Sequence, residues 1–283
     1  MHAPESSNSP NSTVTPDPAA FVRKVGKGKT LSKSMDRAEA REAFSLLLEG
    51  AFTDAQAGAF LQALRINELS QGELEGLMDC LLAEQPAALP ALPAGGFTLN
   101  LASDTPRKGG YASLLAAAFL AAEGVSIGVV RSEPVLSDNR ESWDASWALL
   151  GAAGGPHDAS CCDSPHAPAL LFPVEAYDLA PRLRSLRKIR RELGFRSCLH
   201  TAEKLFNPWT DKPVVLGISH KNYLARLADH FAGRGMAAKI VLGNHGTPDL
   251  VLHKETEVCE VLPGGEIRTV FFHPGTLGLK PEA

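Results

Sequence analysis

The sequence predicts an α/β fold in which a small N-terminal helical domain precedes a mainly parallel sheet with helices on its faces. Three observations carry this. Three helix starts follow in close order, Asp36 with Glu39, Thr53 with Gln56 and Ser70 with Glu73. Each pair has the spacing by which a cap and its partner satisfy free backbone N–H groups. Beyond residue 96, short apolar strands alternate with helical stretches, as in a parallel sheet. Between the two regions, Gln85–Gly96 (QPAALPALPAGG) holds three prolines and ends in paired glycine, as a linker does.

In chain order, residues 1–20 are rich in Ser, Asn and Pro and read as a disordered tail. Residues 21–34 are basic and glycine-punctuated, and 21–84 form the helical domain. Its first helix stops at Gly50, a natural left-handed terminator. Phe44, Leu47 and Leu48, then Ala57, Phe60, Leu61 and Leu64, then Leu74, Leu77, Met78 and Leu81 give each helix one apolar face. After the linker at 85–96, residues 97–283 form the α/β domain. Strands are expected at Phe97–Ala102, Ser126–Val130, Ala169–Phe172, Pro213–Gly217 and Ala238–Gly243. Helices are expected at Ala112–Glu123, Arg140–Leu150, Glu175–Leu193, Ser197–Leu205 and Asn222–Arg234. Val258–Leu262, Gly264–Gly265 and Ile267–Phe272 read as a hairpin. No internal repeat is visible.

Composition bounds the function. With 283 residues, 44% apolar and 21% charged, the chain can bury a core. No apolar run approaches the roughly 18 residues of a membrane span. The start lacks the charged and apolar segments of a signal peptide. Five scattered cysteines without a CxxC spacing fit reduced thiols, so a cytoplasmic protein is expected. The net charge of −4 gives nucleic-acid binding no general support, so any such function rests on local patches.

Two patches exist. Phe21–Arg41 carries Arg23, Lys24, Lys27, Lys29, Lys33, Arg37 and Arg41 against Asp36 and Glu39. Arg182–Pro208 carries Arg182, Arg184, Arg187, Lys188, Arg190, Arg191, Arg196 and Lys204 against Glu192 and Glu203. In the second, Leu183, Leu186, Ile189 and Leu193 form one helical stripe, so its arginines are expected largely off the buried side, facing water or an anion. A charge run of this kind is also what a solvated helix face looks like. Phe21, Phe195, Phe206 and Trp209 lie near the patches, where packing competes with base stacking.

Other features carry less. Pro156–His166 (PHDASCCDSPH) sets His157, Cys161, Cys162 and His166 in a loop, but adjacent cysteines are awkward for one tetrahedral zinc site. The loop reads as variable surface, and no metal is expected. His245 is read as bonded within its turn, and His220 as starting a helix.

The phrases REAFSLLLEGAFTDAQAGAFLQALRINE (Arg41–Glu68), RRELGFRSCLHTAEKLFNPW (Arg190–Trp209), GNHG (Gly243–Gly246) and HPGTLGL (His273–Leu279) resemble the anthranilate phosphoribosyltransferase-like superfamily, glycosyltransferase family 3. The resemblance implies a nucleoside phosphorylase/phosphoribosyltransferase-like fold. In such enzymes a GTGGD loop approaches pyrophosphate, a KHGNR segment binds the nucleophile and an Asp–Glu pair holds magnesium. Here Leu101, Ala102, Ser103, Asp104 and Thr105 fall on the first, and Arg131, Ser132, Glu133, Pro134 and Val135 on the second. The magnesium pair falls near Asp249–Leu250, leaving one carboxylate. Pentosyl transfer depends on electrostatic clamping, so its loss is expected.

The chain is more similar to the non-catalytic YbiB-type DNA-binding group. Ser219-His220, Tyr223, Arg226, Ala228 and Phe231 match a phrase of that group, and Arg107-Lys108 stand in the former phosphate loop. That resemblance implies a homodimer binding nucleic acid, DNA or RNA, without strong sequence specificity. The expected phosphate-binding residues are Arg23, Lys24, Lys27, Lys29, Arg107, Lys108, Arg187, Lys188, Arg190, Arg191 and Arg196, with no catalytic residue and no cofactor. The alternative is a divergent glycosyl- or phosphoribosyltransferase with an altered substrate, which would use magnesium. Arg196 falls at the family's substrate arginine, where anion binding and an ion pair with Glu192 or Glu203 are both open. The family continues for several helices after its HPGTLGL segment, so a C-terminally short domain is expected.

Overall fold

Asp36, Thr53 and Ser70 each cap the helix that follows, and all three form the reciprocal box expected from the spacing. The structure, a computed structural model, describes residues 17–28, 30–83, 89, 91–102, 112–132, 147–148 and 171–279. The capped helices are α2 (Arg37–Leu48), α3 (Asp54–Asn67) and α4 (Gln71–Leu82). Ahead of them stands α1 (Pro18–Val25), which begins inside the stretch read as tail. Its start is set locally: Asp17 accepts from the Ala19 N–H at 2.9 Å, and Pro18 opens the helix where no N–H donor is needed. The apolar faces meet as expected, with Phe44 and Phe60 buried edge to face at 5.5 Å. Helices α2 and α4 approach so closely that a Cβ on Gly76 would stand 2.6 Å from the Ala40 Cβ and the Arg37 carbonyl oxygen.

The second region is a seven-stranded sheet in the order β3-β2-β1-β4-β5-β6-β7. Its strands are β1 (Phe97–Asn100), β2 (Ile127–Arg131), β3 (Leu171–Glu175), β4 (Val214–Gly217), β5 (Ala238–Val241), β6 (Thr256–Val261) and β7 (Ile267–Phe272). The first five in chain order pair parallel, and the final hairpin adds antiparallel. β3 runs further than expected and includes Pro173. It lies at the sheet edge, where a missing N–H breaks no ladder. One sheet face, with Leu99, Ile127, Val129 and Leu171, packs on α5 (Ala112–Ala122). The other, with Val214, Leu216, Ala238 and Ile240, joins the same buried cluster as the helical domain.

Between β3 and β4 the single helix expected at Glu175–Leu193 is not formed. The chain makes α6 (Ala176–Leu179), a three-residue-per-turn segment Pro181–Leu186, and then α7 (Arg187–Leu193). Pro181 bars helical geometry at Ala180, whose φ and ψ are −139° and 77°. The spacing of three between Leu183 and Leu186 suits the tighter segment. Gly194 ends α7 at φ 65°, and α8 (Cys198–Glu203) follows. After β4, α9 (Leu224–Gly233) crosses back to β5. The Arg140–Leu150 helix and the Pro156–His166 loop lie outside the described residues, residues 147–148 excepted.

Candidate functional site

Strand order reverses between β1 and β4, and a cleft of about 540 Å³ opens beside the carboxyl end of β4. In open α/β sheets this switch point is where ligands bind. One wall is the end of α3 with Leu64, Arg65 and Glu68. The second is Gly194–Cys198 with His200 and Lys204, and the third is Ile218–His220 with Asn222 and Tyr223. The wall from β4 needs bare backbone, because a Cβ on Gly217 would stand 2.1 Å from the Thr247 carbonyl carbon. The Lys204 ammonium ties the same corner, donating to the Gly217 and Gly246 carbonyl oxygens at 2.8 and 3.1 Å. Within α8's capping box, His200 Nδ1 accepts from the Ser197 N–H at 3.1 Å. Arg65 lies over the Phe195 ring at 4.7 Å. His220 precedes the short helical turn Lys221–Tyr223, as expected, and is exposed. His245 is exposed at φ 53°.

Most cations of the basic stretch are exposed or half-buried, as expected, but Arg190 and Lys204 are not. Arg190 is buried, and its guanidinium donates to both oxygens of Glu203 at 2.6 and 3.1 Å and to the Tyr177 hydroxyl at 3.0 Å. The side chains are 0% and 1% exposed, so Arg190 cannot meet a polymer phosphate. It faces inward because it stands four residues after Leu186 and seven after Leu183, both buried, and so shares their side of the helix. Burial pushes the Tyr177 phenol up to about 12. Glu203 is thereby the partner of Arg190.

Other expected contacts are partly neutralised within the chain. Lys188 donates to Asp54 at 2.8 Å and lies 3.8 Å from Glu192. Lys24 pairs with Glu39, and Arg23 with Asp17 at 3.1 Å. Arg187 sits over the Tyr177 ring at 5.5 Å. Lys27 and Arg191 are exposed, and Arg196 is half-buried in the cleft wall. Lys29, Arg107 and Lys108 lie outside the described residues. Phe21, Phe206 and Trp209 are buried; a Cβ on Gly128 would stand 2.0 Å from the Trp209 ring.

Helix α3 brings the two patches together. Lys188 meets Asp54 at its start, and Leu193 lies 3.4 Å from where a Gly58 Cβ would be. Phe195 meets Arg65, and at the far end Asn67 Nδ2 donates to the Val25 carbonyl oxygen at 2.7 Å. The basic turn after α1 and the basic helix α7 thus lie along one 14-residue helix, about 20 Å long.

Of the residues expected to align with a pentosyl-transfer clamp, those described make contacts within the chain, while residues 103–105 and 133–135 lie outside the described residues. Leu101 and Ala102 are buried in continuation of β1. Arg131 lies 3.6 Å from Glu175. Asp249 Oδ1 accepts from the Ser113 N–H at 2.7 Å, and Oδ2 from the Thr247 hydroxyl at 2.8 Å. The carboxylate therefore supplies, from within, the negative charge that suits the start of helix α5. Both its oxygens are engaged within the chain, and Leu250 beside it offers no second carboxylate. Among the described residues no group of three or more His, Cys, Asp or Glu could hold a metal.

Sequence reasoning overlooked a polar stripe on the third wall and its continuation. Asn222, Arg226, His230 and Arg234 recur every fourth residue along α9 and its ends, and meet Glu68, Glu75 and Asp79 of the helical domain. The i, i+4 repeat was available as a signal, but the partners lie about 150 positions away. Among the described residues no helix is long and apolar enough to cross a membrane.

Residues 19–84 match the glycosyl transferase family helical bundle domain. The chain is 27% identical over 269 residues to anthranilate phosphoribosyltransferase of Chelativorans sp. (strain BNC1), covering 94% of this chain and 76% of the relative. It is 26% identical over 237 residues to the uncharacterized protein YbiB of Escherichia coli (strain K12), covering 80% and 70%. Among solved structures, anthranilate phosphoribosyltransferase (TrpD) from Thermus thermophilus superposes with a TM-score of 0.67 at 22% identity, covering 93% and 76%. The Saccharomyces cerevisiae enzyme in complex with PRPP and Mg gives 0.69 at 17%, covering 94% and 75%. At these identities the likeness to the solved structures establishes the fold.

Proposed function

We propose that this chain, a relative of the anthranilate phosphoribosyltransferases and of YbiB in the glycosyltransferase family 3 superfamily, binds nucleic-acid phosphates along α3 and does not transfer a pentose. The observation that carries the reading is the alignment of two basic segments on one helix. Lys27 at one end, Arg65 and Arg196 at the cleft, and Arg191 on α7 offer exposed or half-exposed cations along about 20 Å. That length faces several consecutive phosphates of a strand. The contacts would be to the backbone, which positions a strand without reading its bases. The same reading takes the protein as a homodimer.

Loss of transfer is supported by what Asp249, Arg131 and Leu101 do instead. A phosphoryl-bearing substrate would need donors and a metal where these residues are already satisfied internally. A second reading, a divergent pentosyl transferase with an altered substrate, is favoured by the cleft, whose walls keep Arg65, Arg196, His200 and Lys204. Fluorescence anisotropy with single- and double-stranded oligonucleotides at two salt concentrations, beside calorimetry with phosphoribosyl pyrophosphate and magnesium, separates the two. Salt-sensitive oligonucleotide binding with no magnesium-dependent heat supports the first. Tight magnesium-dependent binding of the small ligand supports the second.

A further inference from the structure

Glu68 follows α3 with φ 58° and ψ 136°, a conformation that residues with a Cβ rarely adopt. Strain of this kind persists where surrounding contacts over-determine it, and it gathers at ligand clamps and switch regions. The contacts here are explicit. Glu68 Oε1 accepts from Asn222 Nδ2 at 2.7 Å, and Oε2 lies 3.4 Å from both terminal nitrogens of Arg226.

Asn222 and Arg226 begin the stripe that joins the two regions of the protein, and its two ends are built differently. At the far end His230 Nδ1 lies 2.8 Å from Glu75, and Arg234 reaches Glu75 and Asp79 at 3.1 Å each. Asp79 is held again by Arg37 at 2.6 and 2.8 Å, and His230 is buried. At the cleft end the pair is long, and its side chains are 43% and 29% exposed for Glu68 and Arg226. An exposed pair of that kind is weak. The far end is a fixed joint, and the cleft end can open.

The cleft gives that opening a use. Among its described lining residues Glu68 is the one carboxylate, in a wall that also holds Arg65, Arg196 and His220, with His200 and Lys204 buried and engaged in the fold. Arg226 does not itself line the cleft but is held by the lining carboxylate of Glu68. An anion that displaces Glu68 therefore competes for Arg226, whose planar fork matches a phosphate as well as a carboxylate.

We propose that Glu68 masks Arg226, and that a phosphate group entering the cleft displaces the Glu68 carboxylate and takes Arg226 as a binding partner beside Arg65 and Arg196. The inference rests on the proposed function, because it presumes that this cleft faces a phosphate-bearing strand. It adds a binding residue and an internal competitor that controls it.

The test is a double-mutant cycle read by anisotropy with a 5′-phosphorylated single-stranded oligonucleotide. Glu68→Gln keeps the side chain's size and strain but removes the charge. It should tighten binding about fivefold or more, the lower range of coupling between linked sites. Arg226→Ala in the Glu68→Gln background should return affinity to the wild-type level. If that double variant keeps the gain, the gain is a general loss of negative charge and the masking proposal fails. It fails equally if wild type binds and Glu68→Gln binds no better. If neither wild type nor Glu68→Gln binds at low salt, the proposed function fails and this inference with it. Glu68→Gly, which also removes the strain, should raise the melting temperature, whereas Glu68→Gln should not. A melting temperature unchanged by Glu68→Gly would contradict the strained clamp.

Discussion

Arg190 and Glu203 form a two-pronged ion pair inside the protein, at 2.6 and 3.1 Å, with the Tyr177 hydroxyl accepting a further bond at 3.0 Å. The pair closes the Gly194 turn between α7 and α8 and so fixes the cleft wall that carries Arg196. Its role is structural. The variants that expose this differ from those that test binding.

Removing one partner leaves the other charge buried and alone. Arg190→Ala should destabilise the fold by about 3–5 kcal/mol. Replacing both partners with apolar residues, as in Arg190→Met with Glu203→Met, should cost far less, because no uncompensated charge remains. Urea unfolding of the three proteins checks this. A double variant as unstable as Arg190→Ala would contradict the assignment of the cost to an uncompensated buried charge.

The helix α5 cap gives a second expectation. Asp249→Ala removes the acceptor of the Ser113 N–H, and loss of such a cap costs about 0.5–2 kcal/mol. If Asp249 serves the fold, the variant melts earlier while oligonucleotide affinity stays as in wild type. A loss of magnesium-dependent ligand binding in this variant would instead return the transferase reading.

Acid should loosen the joint at the far end of α9. Burial acts to raise the Glu75 carboxyl, but the hydrogen bond and charge of His230, with Arg234, outweigh it and leave it below the ordinary 4.5. The Arg37 hydrogen bond, joined by Arg234, holds Asp79 below 3.8. A carboxyl lowered in the folded state contributes stability that is present above its unfolded value and lost as pH falls through its folded value. The contribution of these two groups should therefore be constant from neutral pH to about pH 5 and decline below the 4.5 and 3.8 of the unfolded chain. Thermal melts across that range check it. Glu75→Gln should flatten the decline; an unchanged decline would place the acid-sensitive groups elsewhere.

Much of this fold was readable in advance for local reasons. Each capping box is closed within three residues, and each parallel strand is a short apolar run, so sequence neighbours suffice to specify them. Starting the helical domain at Phe21 missed a cap just upstream, Asp17 before Pro18. The inward turn of Arg190 was hidden for a different reason. It stands four residues after buried Leu186, on the apolar side, but the partner that allows a charge there, Glu203, lies beyond the Gly194 stop. The cleft's third wall was harder still. Glu68 and Arg226 are 158 positions apart, and nothing local to either names the other. Asp249 likewise accepts from the Ser113 N–H, 136 positions away, a contact that no local pattern announces.

The central claim is that polymer phosphates are met along α3, and the salt dependence of oligonucleotide binding measures it most directly. Between about 50 and 200 mM salt, log K should fall linearly with log salt. Lys27→Ala and Arg191→Ala should each weaken binding to all sequences alike and reduce the slope by about 1. Arg190→Met with Glu203→Met should leave the slope unchanged. A slope near zero in wild type, or a slope unmoved by Lys27→Ala and Arg191→Ala together, would contradict the account.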